Sequence, residues 1–188
     1  SEIAFRRFLP ALQKANNKVE FTAIGIASPQ EWFGDLSKVP VEQIEEQQSR
    51  ECAKAQTFID QYGGKIVVGY EALISSEDID AVYLPLPPAL HFHWAQKALE
   101  AGKHVFLEKP STACLKDTDA LIRIASQKGL ALHENYMFIY HSQLETIQNI
   151  VRSGEIGDVR LYRISFGFPL RQMNDFRYNK KLGGGAIL

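Results

Sequence analysis

The architecture is first legible in residues 81–110. Ala81-Val82-Tyr83-Leu84 is an apolar run, and Pro85-Leu86-Pro87-Pro88-Ala89-Leu90 follows it as a proline-rich turn. His91 to Ala101 has the composition and spacing of a helix, with Gly102 as its C-terminal glycine. A second apolar run, His104-Val105-Phe106-Leu107, ends in Glu108-Lys109-Pro110. Neither run alternates cleanly between apolar and polar residues, as expected of parallel strands covered on both faces.

The same alternation continues to either side. Upstream, Val19 to Ala27 reads as a buried strand, and 28–48 reads as a polar loop with a short helix, broken by Pro29, Gly34 and Pro40. A helix is expected from about Gln43 to Tyr62, then a strand at Lys65–Val68 and a helical turn from Tyr70 to Ser75. Ala4, Phe8, Ala11, Leu12 and Ala15 give roughly the first sixteen residues helical spacing. Ser1 is suited to N-cap that helix, and Pro10 to kink it or remove a hydrogen bond. Downstream, a helix from Leu115 to Gln127 leads to a strand at Leu130–Leu132. Leu144, Ile147, Ile150 and Val151 mark another helix, and Val159 to Phe168 alternates as a longer strand. The fold class is α/β: a doubly wound parallel Rossmann-like sheet followed by the start of an α+β substrate domain. The expected division is 1–135 for the dinucleotide-binding domain and 136–188 for the second.

Composition narrows the function. The chain has 188 residues, 45% hydrophobic and 23% charged, within the range of globular proteins. Its 21 basic and 22 acidic residues give a net charge of −1, so no strong field recruits nucleic acid or an anionic membrane. The longest charge-free stretch, 81–96, is 16 residues, holds three prolines and is too short to span a bilayer. Cys52 and Cys114 match no disulfide framework and no metal-ligand spacing, so no metal and a reduced, cytoplasmic setting are expected. Neither end reads as a domain boundary. The chain opens on Ser1-Glu2-Ile3, and Gly183-Gly184-Gly185 leads into apolar residues. The expectation is truncation at both ends, with the first strand and a Gly-rich diphosphate turn lying before residue 1.

Open parallel sheets bind ligands beyond the carboxyl ends of their strands. That singles out the loops after Ala27, Leu84 and Leu107. Glu108-Lys109-Pro110 places a charged pair directly after a buried strand. It fits a functional site, and it also fits a charge pair at the solvent boundary.

Ala101-Gly102-Lys103-His104-Val105-Phe106-Leu107-Glu108-Lys109-Pro110 resembles the AGKHVxxEKP signature of the glucose–fructose oxidoreductase / inositol dehydrogenase / rhizopine catabolism (Gfo/Idh/MocA) family. Asp80 to Tyr83, Pro87 to His91, Ser153 to Gly157 and Gly183 to Gly185 follow the family order along the whole chain. Three further stretches, Ile3 to Leu12, Glu134 to Phe138 and Asp175 to Tyr178, resemble the nucleotide-sugar 3-ketoreductases. Related xylose and dihydrodiol dehydrogenases usually carry Arg and Pro where this chain has Ile139 and Ser142.

The resemblance implies hydride transfer between a nicotinamide cofactor and a keto group of a nucleotide-linked sugar. Lys109 would be the catalytic cation. Cofactor contacts would come from Ser28, Arg50, Leu86, Pro87, His91, Glu108, Lys109 and Pro110, and substrate contacts from Asn135, Tyr136, Asp175 and Arg177. The proton donor would be a tyrosine beyond residue 188. Ser28 is not acidic, and Arg50 is available for a phosphate, so NADP is favoured with NAD possible. Family members commonly form homo-oligomers. Plainer readings stand beside these: His91 as a helix-capping residue, Asp175 with Arg177 as an exposed salt bridge. The rival functions are another sugar, polyol or dihydrodiol dehydrogenase, a non-catalytic dinucleotide binder, or an inactive fragment.

Overall fold

The computed structural model describes residues 1–15, 18–167, 169–173 and 175–184. A π-helical turn, Ala4–Phe8, runs into helix α1, Leu9–Gln13. Pro10 sits at the start of α1, directly after the π-helical turn, and has no N–H to donate back into it. The expected Pro10 irregularity therefore falls on the turn before it. Ser1 contributes its carbonyl, which accepts the Phe5 amide at 3.2 Å. No side-chain cap is formed at the start of this π-helical turn.

Strand β1, Ala23–Ile26, pairs in parallel with β2, Lys65–Val68. Between them lie α2, Pro29–Phe33, and the long α3, Val41–Tyr62. After α4, Tyr70–Ile74, the chain builds a second parallel sheet. Its strands are β3, Ala81–Leu84, β4, His104–Glu108, and β5, Leu132–Asn135, in that spatial order. Helices α5, Pro88–Glu100, and α6, Leu115–Lys128, make the two crossovers.

Period two along these strands sorts the residues. Val82, Val105 and Leu107 point to the helices and join Trp94, Ala95, Leu99 and Leu121 in one core. Each leucine fully buried there contributes ~2 kcal/mol through apolar burial. The alternate positions occupy the other face: Tyr83 pairs in register with Phe106, and Phe106 with His133, while Glu108 pairs with Asn135. The Phe8 ring stacks on Tyr83 at 3.8 Å, and so ties the N-terminal segment to that face.

Two sequence expectations are corrected. The last strand is Leu132–Asn135, not 130–132. Leu130 donates its amide to the Ala125 carbonyl, closing α6, and the Ala131 amide goes to the His104 ring, so pairing with β4 starts only at Leu132. Residues 159–167 take no regular secondary structure, although a strand was expected there; Phe168 and Gly185 lie outside the described residues. Alternation belongs to a single segment, whereas a strand also needs a neighbour at ladder spacing. Beyond β5 the described chain has one α-helix, α7, Ser142–Ser153, and short 3₁₀ turns at Met137–Tyr140, Phe176–Tyr178 and Lys180–Leu182. The tail returns to the start of α5 at Gly183. There a Cβ would lie 2.9 Å from both the Ala89 nitrogen and the Pro88 Cβ, and φ is +74°. Only glycine allows that approach without displacement.

Candidate active site

The strands β3, β4 and β5 end side by side, and their last residues build the site. Glu108 closes β4 with its side chain on the face opposite the helices and is only 8% exposed. A buried carboxylate requires donors. Tyr83 Oη donates to Glu108 Oε1 at 2.6 Å, and Asn135 Nδ2 donates to the same oxygen at 2.6 Å. Burial first, and then the neighbouring Glu108 carboxylate, drive the Tyr83 phenol above the ordinary tyrosine range. Three adjacent strands are thus tied together at their tips.

The next residue, Lys109, is exposed. No hydrogen bond or ion pair engages its ammonium group among the described residues. The turn that carries it, with a cis Lys109–Pro110 peptide, is held from both sides. The Ser111 amide donates to Glu134 Oε1 at 2.9 Å, and the Pro110 carbonyl lies 2.8 Å from His91 Nδ1. Glu134 and Asn135 follow one another on β5 and so reach the turn from opposite faces of the sheet.

The sequence-predicted residues divide into groups. Leu86, Pro87, His91, Glu108, Lys109, Pro110 and Asn135 gather around the tips of β3, β4 and β5. His91, expected as a cofactor contact, lies inside the fold. It is 0% exposed, and both its nitrogens face main-chain carbonyls, those of Pro110 and Leu86. Glu108 and Asn135 likewise engage one another, so their side chains shape the site from within. The Tyr136 ring is exposed and packs edge-on against Phe138 at 4.7 Å.

Ser28 lies at the other sheet, just past β1. Its hydroxyl accepts the Glu31 amide and its own amide donates to Glu31 Oε2, a reciprocal capping box for α2. Glu31 also accepts the amides of Tyr70 and Glu71 at 2.9 and 3.1 Å. Burial acts to raise its pKa, but these donations outweigh it and hold the carboxyl below its usual range. Gln48 on α3 donates to the Ala27 carbonyl at 2.8 Å. Arg50 does not join this tip: its guanidinium pairs with Glu46 one turn earlier on the exposed face of α3. Asp175 and Arg177 bond each other, with Arg177 donating its main-chain amide and Nη1 to the Asp175 carboxylate.

Sequence reasoning missed Tyr83, Glu134, Glu31 and Gln48. The first two carried a usable signal: register across parallel strands brings the last residues of each strand together. The others depend on loop paths that local pattern does not specify. A cavity of about 370 Å³ lies between the N-terminal segment and β4–β5, lined by Arg7, Phe8, Phe106, Asn135 and Met137 among others. Its lining is apolar apart from Arg7 and Asn135, and Lys109 is not part of it. No group of three or more His, Cys, Asp or Glu side chains among the described residues is arranged to hold a metal ion.

Parallel strands joined by helices, with an available cation at one strand tip, define a doubly wound α/β protein of the ligand-binding kind. The chain belongs to the Gfo/Idh/MocA oxidoreductase family with an NAD-binding Rossmann fold, whose model matches residues 4–136. It is similar to dTDP-3,4-didehydro-2,6-dideoxy-alpha-D-glucose 3-reductase from Streptomyces violaceoruber, 41% identical over all 188 residues and 48% of that protein. It is 35% identical to D-xylose 1-dehydrogenase (NADP(+)) 2 from Haloferax volcanii, over 83% of this chain and 50% of that one. The crystal structure of KijD10, a 3-ketoreductase from Actinomadura kijaniata in complex with NADP and TDP-benzene, superposes with a TM-score of 0.81 at 38% identity. That match covers all of this chain and 50% of the other. The chain spans about half the length of the curated relatives it matches.

Proposed function

We propose that this chain carries the cofactor-binding part of an NADP-dependent oxidoreductase that reduces a keto group on a nucleotide-linked deoxysugar. The observation that carries the reading is Lys109, an exposed cation without an internal partner among the described residues, on a turn held at fixed points by its neighbours. Ribose hydroxyls and a sugar carbonyl are acceptors, and they match the donor presented there. NADPH, when bound, supplies the hydride.

The chain's own residues bind and orient; the proton that the reduced oxygen takes up comes from the donor that the resemblance puts beyond residue 188. The Lys109 ammonium donates to the reacting carbonyl oxygen and stabilises negative charge as it develops. Glu108, with two donors on its buried Oε1, anchors the strand tip and makes no ion pair with Lys109. The main chain at Leu86, Pro87 and Pro110 borders the cofactor, and Ser28 borders its adenosine end. Tyr136, Asp175 and Arg177 lie toward the sugar nucleotide. The preference for NADP rests on the relatives, since Glu31 and not Arg50 stands beside Ser28.

The same reading assigns 1–135 to cofactor binding and 136–188 to the start of a substrate and oligomerisation domain, in a cytoplasmic homo-oligomer. No helix among the described residues is long and apolar enough to cross a membrane. Similarity to the Haloferax enzyme favours a second reading, a dehydrogenase of free sugars.

The test is hydride transfer in the protein carrying this chain at the length of its relatives. NADPH oxidation is followed with dTDP-3,4-didehydro-2,6-dideoxy-alpha-D-glucose, and NADP reduction with D-xylose. Lys109→Ala should lower kcat by about 10²- to 10³-fold, the loss typical of removing one donor to a developing oxyanion, with an unchanged melting temperature. Turnover of xylose alone would favour the second reading, and wild-type turnover in the variant would remove Lys109 from the chemistry.

A further inference from the structure

The His91 ring is fully buried four residues into α5, yet none of its polarity is spent on its own helix. Nε2 lies 2.8 Å from the Leu86 carbonyl, and Nδ1 lies 2.8 Å from the Pro110 carbonyl. Those oxygens belong to different loops, one after β3 and one after β4. Beyond the paired ends of the two strands, no other hydrogen bond joins 85–88 to 109–112 among the described residues. The distance between the two ring nitrogens is set by covalent geometry, so the ring is a spacer of fixed length. A side chain needed only for packing would be satisfied by an apolar ring of similar volume.

We propose that His91 is a positioning residue for the reaction, one that sets the Lys109–Pro110 turn against the Leu86 loop and so fixes where the Lys109 ammonium points. The inference rests on the reading of Lys109 above. Glu134, through the Ser111 amide, holds the far side of the same turn. His91 and Glu134 together leave the Lys109 main chain little freedom to shift. Without the ring bonds the turn keeps its β5 anchor but loses its register with the β3 loop, and the ammonium is displaced while remaining present.

The experiment compares His91→Phe, His91→Gln and Lys109→Ala in the enzyme at the length of its relatives, measuring kcat, KM for NADPH and melting temperature. His91→Phe keeps a ring and removes both nitrogens, of which a neutral ring donates from one. It should lower kcat by about 30- to 100-fold, as a displacement on the order of 1 Å at a reacting group does, with KM for NADPH within about threefold. His91→Gln, which can reach one carbonyl, should recover part of that loss. A structural role alone would lower the melting temperature and leave kcat of the folded enzyme unchanged, and that result for His91→Phe overturns the proposal. If His91→Phe does not fold, His91→Gln decides: a reduced kcat at unchanged KM supports positioning, and a wild-type kcat overturns it. Wild-type kcat in Lys109→Ala instead overturns the reading of Lys109 itself. An inactive Lys109→Ala beside a fully active His91→Phe overturns the positioning role alone.

Discussion

At the tip of β1 the Glu31 carboxylate accepts three main-chain amides, from Ser28, Tyr70 and Glu71. At the tip of β4 the charges are divided: Glu108 is buried under two donors, while Lys109 is exposed with no such engagement among the described residues. Both tips lie at the end of a parallel sheet where ligands bind in this class of fold. The β1 tip uses its charge to join α2 to α4. The β4 tip uses one charge to hold three strands and leaves the next exposed, without an internal partner among the described residues. Charge at a strand end is therefore evidence of function only when its internal partners have been counted.

The largest stability effect separating the tips is expected at Glu108. Glu108→Ala leaves the Tyr83 hydroxyl and the Asn135 amide without their acceptor, a loss of about 3 kcal/mol from two stranded polar groups. Urea denaturation measures it, and a loss well under 1 kcal/mol would mean that the three strand tips are not held through this carboxylate. The Tyr83 phenol gives a pH signature. Its folded pKa is raised, so its stabilising contribution is complete below the ordinary value of about 10 and is lost as pH rises above it. Tyr83→Phe should flatten the alkaline limb of stability against pH.

At the β1 tip the sign is reversed. The Glu31 pKa is lowered in the folded state, so its contribution is present above the ordinary value of 4.5 and is lost as pH falls below it. Glu31→Gln should cost about 1–2 kcal/mol near neutrality, as the amide's single oxygen gives up at least one of the three donors and the bonds kept become neutral ones, and should reduce the acid dependence. Kinetics should separate the tips more sharply still: this variant should keep kcat, whereas changes at Lys109 should not. The smallest effect is expected at Arg50. Its pairing with Glu46 is an exposed helix pair worth less than about 1 kcal/mol. Arg50→Ala should shift the NADPH-to-NADH preference by less than about twofold. A tenfold loss for NADPH alone would show the guanidinium leaving Glu46 for the cofactor phosphate.

The order of strands and helices up to residue 135 was readable, though not every boundary, because it follows from short apolar runs, glycine stops and proline turns. Glu108-Lys109-Pro110 stood out as a charged pair after a buried strand, and the resemblance to the family signature, not the local pattern, made it a candidate site. The role of His91 was not, since its partners Leu86 and Pro110 are main-chain atoms of two separate loops, and no side-chain pattern announces a carbonyl. Helical phase puts Gln48 toward the end of β1, while Arg50 pairs with Glu46 on the exposed face of α3. The alternation in 159–167 promised a strand that did not form among the described residues, since pairing is a property of two segments.

Local chemistry alone determined that this chain is a parallel α/β protein with a lysine at the end of a buried strand, because periodicity, turn residues and one ordered set of motifs are written in the residues themselves. Tertiary structure alone decided which charged groups remain available. At the two strand tips the hydrogen-bond partners are drawn from 3 to 40 positions away, from Ser28 with Glu31 to Glu31 with Glu71, and only the folded path of the backbone brings donor to acceptor.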